Sequence, residues 1–300
     1  MVWETFLTWL RTETTERIAE NEPMSLHTNW RIGGPARAMY WPRDLETCSR
    51  VLQKCRQNQI KTYFLGNGSN LLVSDQGLDG LVINTRELQQ VSWQEDQVQA
   101  GSGVSLALLA SQASRRGLQG MAFAIGIPGT VGGAVLMNAG AYGSAMSDIV
   151  TSVVALDESG EMHFLSAADL HYSYRHSYLQ EKGWLIGQVN LTFQRGDQAS
   201  IESQMNEYLQ SRKEKQPLEY PNGGSVFKNP TGQGAGRLIE AAGLKGLRVG
   251  DAQISLKHAN FIVNLGEATA QDVLTLIKTV KETMQEKSGV QLDTEVVYWR

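Results

Sequence analysis

The chain is short of the features that mark several large protein classes. Of its 300 residues only two are cysteine, five are histidine and seven are proline. Two cysteines cannot form a disulfide framework. Cys48 and Cys55 fall with Leu45, Val51 and Leu52 on one face of a helix expected over 44–57, as buried thiols rather than a metal or redox pair. The histidines are scattered, and none has a zinc spacing such as HExxH. No apolar run approaches the length that spans a bilayer. The N-terminus, MVWETFLTWLRTETTER, is acidic and amphipathic, unlike a signal peptide. Net charge is −4 and the isoelectric point about 5.8, which leaves no footprint for bulk nucleic-acid binding. A cytoplasmic protein is expected.

What the chain has in quantity is glycine, 30 residues gathered in clusters. Clustered glycine marks loops whose backbone approaches something closely or takes positive φ. Two such loops follow strands: GNGSN, which is Gly66, Asn67, Gly68, Ser69 and Asn70, and GSGVS at 101–105. Successive backbone N–H groups in such turns make an anion nest. The third is GIPGTVGGAVLMNAGAYG, 126–143, which reads as irregular and would let backbone pass tightly against a flat or phosphorylated ligand. None is a Walker A loop, because no Gly-Lys-Ser/Thr follows. None completes GxGxxG before a helix, since the third glycine is replaced by Leu71 in one loop and Leu106 in another. A Rossmann dinucleotide site is therefore disfavoured.

Strands and helices mix without strict βαβ alternation, so the expected class is α+β. A short helix opens the chain on Trp3, Phe6, Leu7 and Leu10, and another is expected on the stripe Leu106, Leu109, Ala110 and Ala113. VTSVVALDESGEMHFLS reads as a hairpin turning at Glu158, Ser159 and Gly160. The character changes near 196, where a polar helix begins that Pro217 ends. A capped helix is expected between Thr269 and Gly289, and a last strand over LDTEVVYWR. The boundaries expected are 1–195 and 196–300.

Between Arg212 and Lys257 stand eight basic residues against four acids, a local excess of four in a chain of net charge −4. The excess fits either an anionic ligand or a solvated basic face. Within it lies NGGSVFKNP, 222–230, which packages Ser225 behind two glycines. Three roles compete for this serine. Ser225 to Lys228 matches the S-x-x-K acyl-serine signature, but Val226 and Phe227 favour a strand, in which positions i and i+3 face opposite ways. Pro230 also argues against a helix, and no KTG or SDN partner motif exists. The second role is a hydroxyl bonding its own turn. The third is a positioned proton donor or anion binder.

Eight segments then carry a resemblance: TNWRIGGPA, LGNGSNLLVSD, GIPGTVGGAVLMNAGAYG, YRHS (174–177), QPLEYPNGGSVFKNP, AGRLIEAAGLKGLRVGDAQIS, HANFIVN and the terminal Glu295. In this order, and over nearly the whole chain, they resemble the UDP-N-acetylenolpyruvoylglucosamine reductase family, in its shorter subclass. The resemblance implies an FAD-binding domain of the vanillyl-alcohol-oxidase (PCMH) type, with two lobes at about 1–85 and 86–195, then a substrate domain. This flavin fold holds its pyrophosphate in strand-loop nests, consistent with the absence of GxGxxG. The implied FAD-binding residues are Gly66, Asn67, Gly68, Ser69 and Asn70 at the pyrophosphate. Gly126, Ile127, Pro128, Gly129, Thr130, Val131 and Gly132 are implied beside the flavin.

The resemblance further implies NADPH as reductant, hydride transfer from flavin N5 to C3 of an enolpyruvyl UDP-sugar, and protonation at C2. Arg175 matches the family's catalytic arginine, Ser225 its proton donor and Glu295 its catalytic acid. Lys215, Asn229 and Tyr142 are matched to substrate. A monomer acting on small molecules is expected. Glu295 is followed by Val296 and Val297, where the family often has Glu-Val-Arg.

Overall fold

The structure, a computed structural model, describes residues 2–300. Two compact units divide the chain. The first takes residues up to Asn21, then Ala38–Asn67 and Asp79–Leu209; the second takes Glu22–Arg37, Gly68–Leu78 and Gln210–Arg300. The division falls at Leu209, within the helix Gln198–Lys215, whereas the expected boundary near 196 lies just before that helix. The helix Gln198–Lys215 begins in the first unit, because Ile201 and Met205, one turn apart, are buried in that unit's core. Two short segments before residue 80 belong with the C-terminal unit, which the sequence reading placed wholly after 195.

The first unit has two cores. One gathers the opening helix Val2–Glu13 and the helix Leu45–Gln57 against a sheet of strand order Ile18–Pro23, Pro35–Tyr40, Leu78–Asn84, Thr62–Leu65. The Leu45–Gln57 helix starts where the Asp44 carboxylate accepts the Thr47 N–H at 2.7 Å, and it buries Cys48, Val51, Leu52 and Cys55 as its apolar spacing requires. Both cysteines are free thiols, and burial pushes the Cys55 thiol up to about 12. The other core lies on a five-stranded antiparallel sheet, ordered Met162–Ser166, Val150–Leu156, Leu185–Thr192, Gln97–Gly101, Val91–Gln94. Helices Leu106–Ser114 and Val131–Leu136 pack into it. The second of these interrupts the glycine-rich stretch expected to be irregular. Thr130 caps it, accepting from Gly133 N–H at 3.4 Å.

The second unit is built on a three-stranded antiparallel sheet, Arg248–Val249, Ala252–Ile254 and Ile262–Asn264, with helices Ala235–Ala241 and Ala270–Ser288. The long helix has a reciprocal capping box between Thr269 and Asp272, and Gly289 closes it at φ 66°. Its first N–H groups, on Ala270 and Gln271, donate to the Asp75 carboxylate at 2.8 and 3.1 Å, which favours the positive end of the helix dipole. The expected last strand is shorter than its alternation suggests. Val297–Trp299 pairs parallel to Leu71–Val73, Thr294 makes an isolated bridge to Phe227, and Glu295 lies between them in irregular backbone.

Trp30 anchors the early segment in this unit. It is fully buried, donates Nε1–H to the Ile262 carbonyl at 2.8 Å, and its own carbonyl accepts from Asn264 Nδ2 at 2.9 Å. Asn264 Oδ1 in turn accepts from Gly266 and Ala268 N–H. A large aromatic in a closed core with a satisfied N–H carries a heavy truncation cost. Trp30→Ala should therefore destabilise the second unit by about 3–5 kcal/mol, measured as a lowered denaturant midpoint. A loss below about 1 kcal/mol would contradict this assignment of Trp30 to the core.

Candidate functional site

Two clusters of matched residues form, one in each unit. In the second unit the backbone around Ser225 is extended, as its β-branched and aromatic neighbours favour. Val226 N–H donates to the Asn260 carbonyl at 2.8 Å, Phe227 forms an antiparallel bridge with Thr294, and Lys228 N–H donates to Asp293 at 2.8 Å. Glu295 N–H donates to the Val226 carbonyl at 2.8 Å. Residues 226–228 thus pair with 293–295, and Ser225 and Glu295 stand on neighbouring segments. The S-x-x-K arrangement is not formed, because 225–228 is not helical.

The glycines before Ser225 have different tasks. Gly223 lies against the Trp30 ring, where a Cβ would sit 2.5 Å from Cζ3. Gly224 takes φ 78° and donates its N–H to Asn222 Oδ1 at 3.0 Å, an Asx turn that swings the chain toward Ser225. Asn260, only 3% exposed, then fixes the next peptide from both sides: Oδ1 accepts from Phe227 N–H and Nδ2 donates to the Phe227 carbonyl, each at 2.9 Å.

Asn260 is itself held by His258, whose Nδ1 accepts the Asn260 N–H at 3.2 Å. Burial lowers the His258 pKa below its ordinary 6.5, with Lys245 pushing the same way and Glu240 opposing. Of the substrate candidates, Asn229 is exposed and its Oδ1 accepts the Ala235 N–H at 3.0 Å, while Lys215 is exposed at the end of its helix.

In the first unit the three glycine loops converge. A Cβ on Gly66 would lie 2.6 Å from Thr130 Oγ1, and one on Gly132 would lie 2.6 Å from the Ser102 Cβ. Hydrogen bonds join the second and third loops: Val131 N–H to Val104, Gly132 N–H to Ser102, and Leu106 N–H to Gly129. The side chain of Val131 is buried in the core and these two N–H groups are taken, so Val131 and Gly132 act by joining loops. Gly126, Ile127 and Gly129 are half-buried and Pro128 is exposed. Gly68, in the second unit, takes φ 64°, a left-handed conformation that glycine adopts without strain, and a Cβ there would lie 2.0 Å from the His27 carbonyl oxygen. Loops with no room for a Cβ at Gly66, Gly101, Gly103 and Gly132 are of the kind that can offer backbone N–H groups to a pyrophosphate-bearing cofactor.

Arg175 belongs to this unit. It sits at φ 57° in a tight turn, where Ser173 and His176 exchange N–H···O bonds at 3.1 and 3.2 Å. Residues that sequence reasoning did not single out fix this turn. Asn138 Nδ2 donates to the Ser173 carbonyl at 2.9 Å, Ser177 Oγ to Leu136 at 2.6 Å, and Gln180 Nε2 to both Leu136 and Arg175 carbonyls. Asn138 and Ser177 are buried. For Asn138 a signal was available, a polar residue in the small and apolar stretch GGAVLMNAGA; Ser177, among Tyr, Arg and His, gave none. The Arg175 guanidinium lies 5.2 Å from the Tyr174 ring centre. Tyr142 is stacked on Tyr208 at 3.7 Å and 2° and donates its hydroxyl to the Tyr208 carbonyl.

An FAD-binding domain model matches residues 36–166, within the segment that carries the glycine loops. The chain is a flavin-dependent oxidoreductase with an α+β FAD-binding domain and a C-terminal α+β domain. A second model, the C-terminal domain of UDP-N-acetylenolpyruvoylglucosamine reductase, matches 216–299. The reductase 2 of that name from Symbiobacterium thermophilum is 48% identical over 94% of this chain and 92% of its own length. The reductase of Caldanaerobacter subterraneus is 46% identical over 92% and 91%. The crystal structure of the Thermus caldophilus reductase superposes with a TM-score of 0.81 at 38% identity, covering 95% of this chain and 99% of that one. The chain belongs to the UDP-N-acetylenolpyruvoylglucosamine reductase family.

Two outcomes follow from the geometry. Gly66→Ala forces a Cβ against Thr130 Oγ1, an overpacking of about 1–3 kcal/mol, so FAD binding should weaken roughly 5- to 100-fold. Flavin absorbance retained after dialysis reads this directly, and full retention would contradict it. Because the folded His258 pKa is depressed, the unfolded state takes up the proton first as pH falls through 6.5. The His258 contribution is complete above 6.5 and is lost as pH drops from there toward the lowered folded value. Denaturant titrations at about pH 7.5 and 5.5 should lose less stability on acidification in His258→Gln than in wild type.

Proposed function

We propose that the chain reduces UDP-N-acetylglucosamine enolpyruvate to UDP-N-acetylmuramate, with NADPH as reductant, in cytoplasmic peptidoglycan precursor synthesis, and works as a monomer on small molecules. The observation that carries this reading is the pairing of 226–228 with 293–295, which brings Ser225 and Glu295 onto adjacent backbone of one unit. Gly66, Asn67, Gly68 and Ser69 line the FAD pyrophosphate with Asn70 closing the loop, and the stretch from Gly126 to Gly132 runs beside the flavin. FAD bound there supplies hydride, drawn from NADPH, to C3 of the substrate.

The chain's own residues manage the charge that results. The substrate double bond is conjugated with its carboxylate, so addition at C3 leaves an enolate over C2 and the carboxylate. Arg175 presents a fork of donors that suits this carboxylate and stabilises the added charge. Ser225 Oγ donates the proton to C2. A hydroxyl is ordinarily too weak an acid for this, but a dianionic enolate is basic enough to take it. Glu295 stabilises the intermediate or relays the replacement proton. Lys215, Asn229 and Tyr142 hold the substrate, with Asn229 Nδ2 the amide atom available to it because Oδ1 serves Ala235.

Ser225→Ala separates this from a structural role. Reduction of bound flavin by NADPH should stay within about twofold of wild type, while reoxidation by the enolpyruvyl substrate slows by roughly 10²–10⁴-fold. Equal slowing of both half-reactions in stopped flow would overturn the assignment.

A further inference from the structure

We infer that Asn70 is a positioning residue for Glu295, and that its side chain is not a cofactor ligand. The inference rests on the catalytic reading of Glu295 given above. Asn70 ends the GNGSN loop and precedes the strand Leu71–Val73. Its Nδ2 donates to the backbone carbonyl of Glu295 at 3.0 Å, and its own carbonyl accepts the Val297 N–H at 3.1 Å. The parallel ladder then runs on, with Leu71 opposite Val297, Leu72 opposite Tyr298 and Val73 opposite Trp299. On its other side, Glu295 donates its N–H to Val226 at 2.8 Å.

Both backbone polar groups of Glu295 are therefore held, one by the serine-bearing segment and one by Asn70. Neither of these two bonds uses the carboxylate. Pinning both peptide planes fixes the direction of the Cα–Cβ bond, and with it the few staggered positions the carboxylate can reach. This matters because Glu295 stands outside regular structure, two residues before the ladder begins at Val297. Without Asn70 the Glu295 carbonyl would lose this side-chain tether, and the segment could pivot about the Val226 bond. The residue type is specific. An aspartate has the same shape but sets acceptor against acceptor, and a glutamine would push the amide past the carbonyl by one methylene.

The test uses the flavin-loaded protein, NADPH and the enolpyruvyl substrate. Asn70→Asp and Asn70→Ala should keep the visible flavin spectrum, the FAD dissociation constant and the rate of reduction by NADPH within about twofold. Reoxidation by saturating substrate should slow about 10- to 100-fold, as expected for a reacting group displaced by an ångström or so, with half-saturation little changed. The decisive arm is the double mutant. In a Glu295→Gln background, Asn70→Asp should change reoxidation by less than about twofold, because the group it positions is already gone. Alanine guards against an outcome due to the charge of aspartate alone.

Loss of FAD, or slowed reduction by NADPH, in both single variants would make Asn70 a cofactor residue and overturn the inference. Multiplying effects in the double mutant would do the same, by placing its influence elsewhere. Should Glu295→Gln by itself leave reoxidation unchanged, the catalytic reading of Glu295 fails, and the inference with it. That outcome is distinct from a slow Glu295→Gln enzyme in which Asn70→Asp still adds its full effect, where the inference alone fails.

Discussion

The chemistry proposed for the second unit depends on one backbone hydrogen bond, from Glu295 N–H to the Val226 carbonyl. Its net contribution to stability is modest, about 1 kcal/mol. Its importance is geometric. It joins two irregular segments, neither of which is rigid on its own, and the residues around it act to hold its two ends. Asn260 grips the Phe227 peptide on one side, and Asn70 grips the Glu295 carbonyl on the other. The buried Asn260 amide, paired at both its oxygen and its nitrogen, specifies one arrangement, since any slippage leaves a polar group without a partner. Behind them Trp30 fills the space that Gly223 leaves open. A serine and a carboxylate on loops are thus held with the precision usually given by helices or strands.

In the first unit the governing constraint is steric. The glycine clusters suggested close approach to a ligand, and much of the closeness is to the chain itself. Gly66 meets Thr130, Gly132 meets Ser102, and Gly101 and Gly103 meet the Leu88 and Thr85 carbonyls. The result is a stack of loops drawn together around Thr130, which also starts the helix Val131–Leu136. The carbonyl of Leu136, at the end of that helix, accepts from Ser177 and Gln180, and Asn138 just beyond it donates to the Ser173 carbonyl in the Arg175 turn. The glycine loops and the turn that carries Arg175 therefore share one short helix as a common support.

What was legible in the sequence was what local chemistry decides. The helix after Thr269 carries its own capping box and terminal glycine, and the strand character of Val226 and Phe227 follows from their side chains and from Pro230. The family motifs drew attention to Arg175, Ser225 and Glu295, whose proposed roles rest on that resemblance. Less legible was anything held by distant partners. The Trp30 bond to Ile262 links residues 232 positions apart, so nothing near Trp30 announces that it belongs with the C-terminal unit. The helix at 131–136 hides among glycines that locally disfavour it, and stands because Thr130 caps it and the core takes up Val131 and Val135. The terminal strand read as longer than it is because alternation alone cannot tell where a partner strand ends.

The interleaving of the two units has a consequence for how the protein is made. Segments 22–37 and 68–78 leave the ribosome early, yet the groups they pair with lie at 262–271 and 297–299. Contacts of such sequence separation close late and slowly. The indole of Trp30 must wait for Ile262 and Asn264, and the strand Leu71–Val73 for Val297–Trp299. The first unit, whose chain is complete by Leu209, has no such delay within itself. Synthesis thus passes through a stage in which the flavin loops can be assembled while the segments destined for the second unit are still the part of the nascent chain most in need of a chaperone.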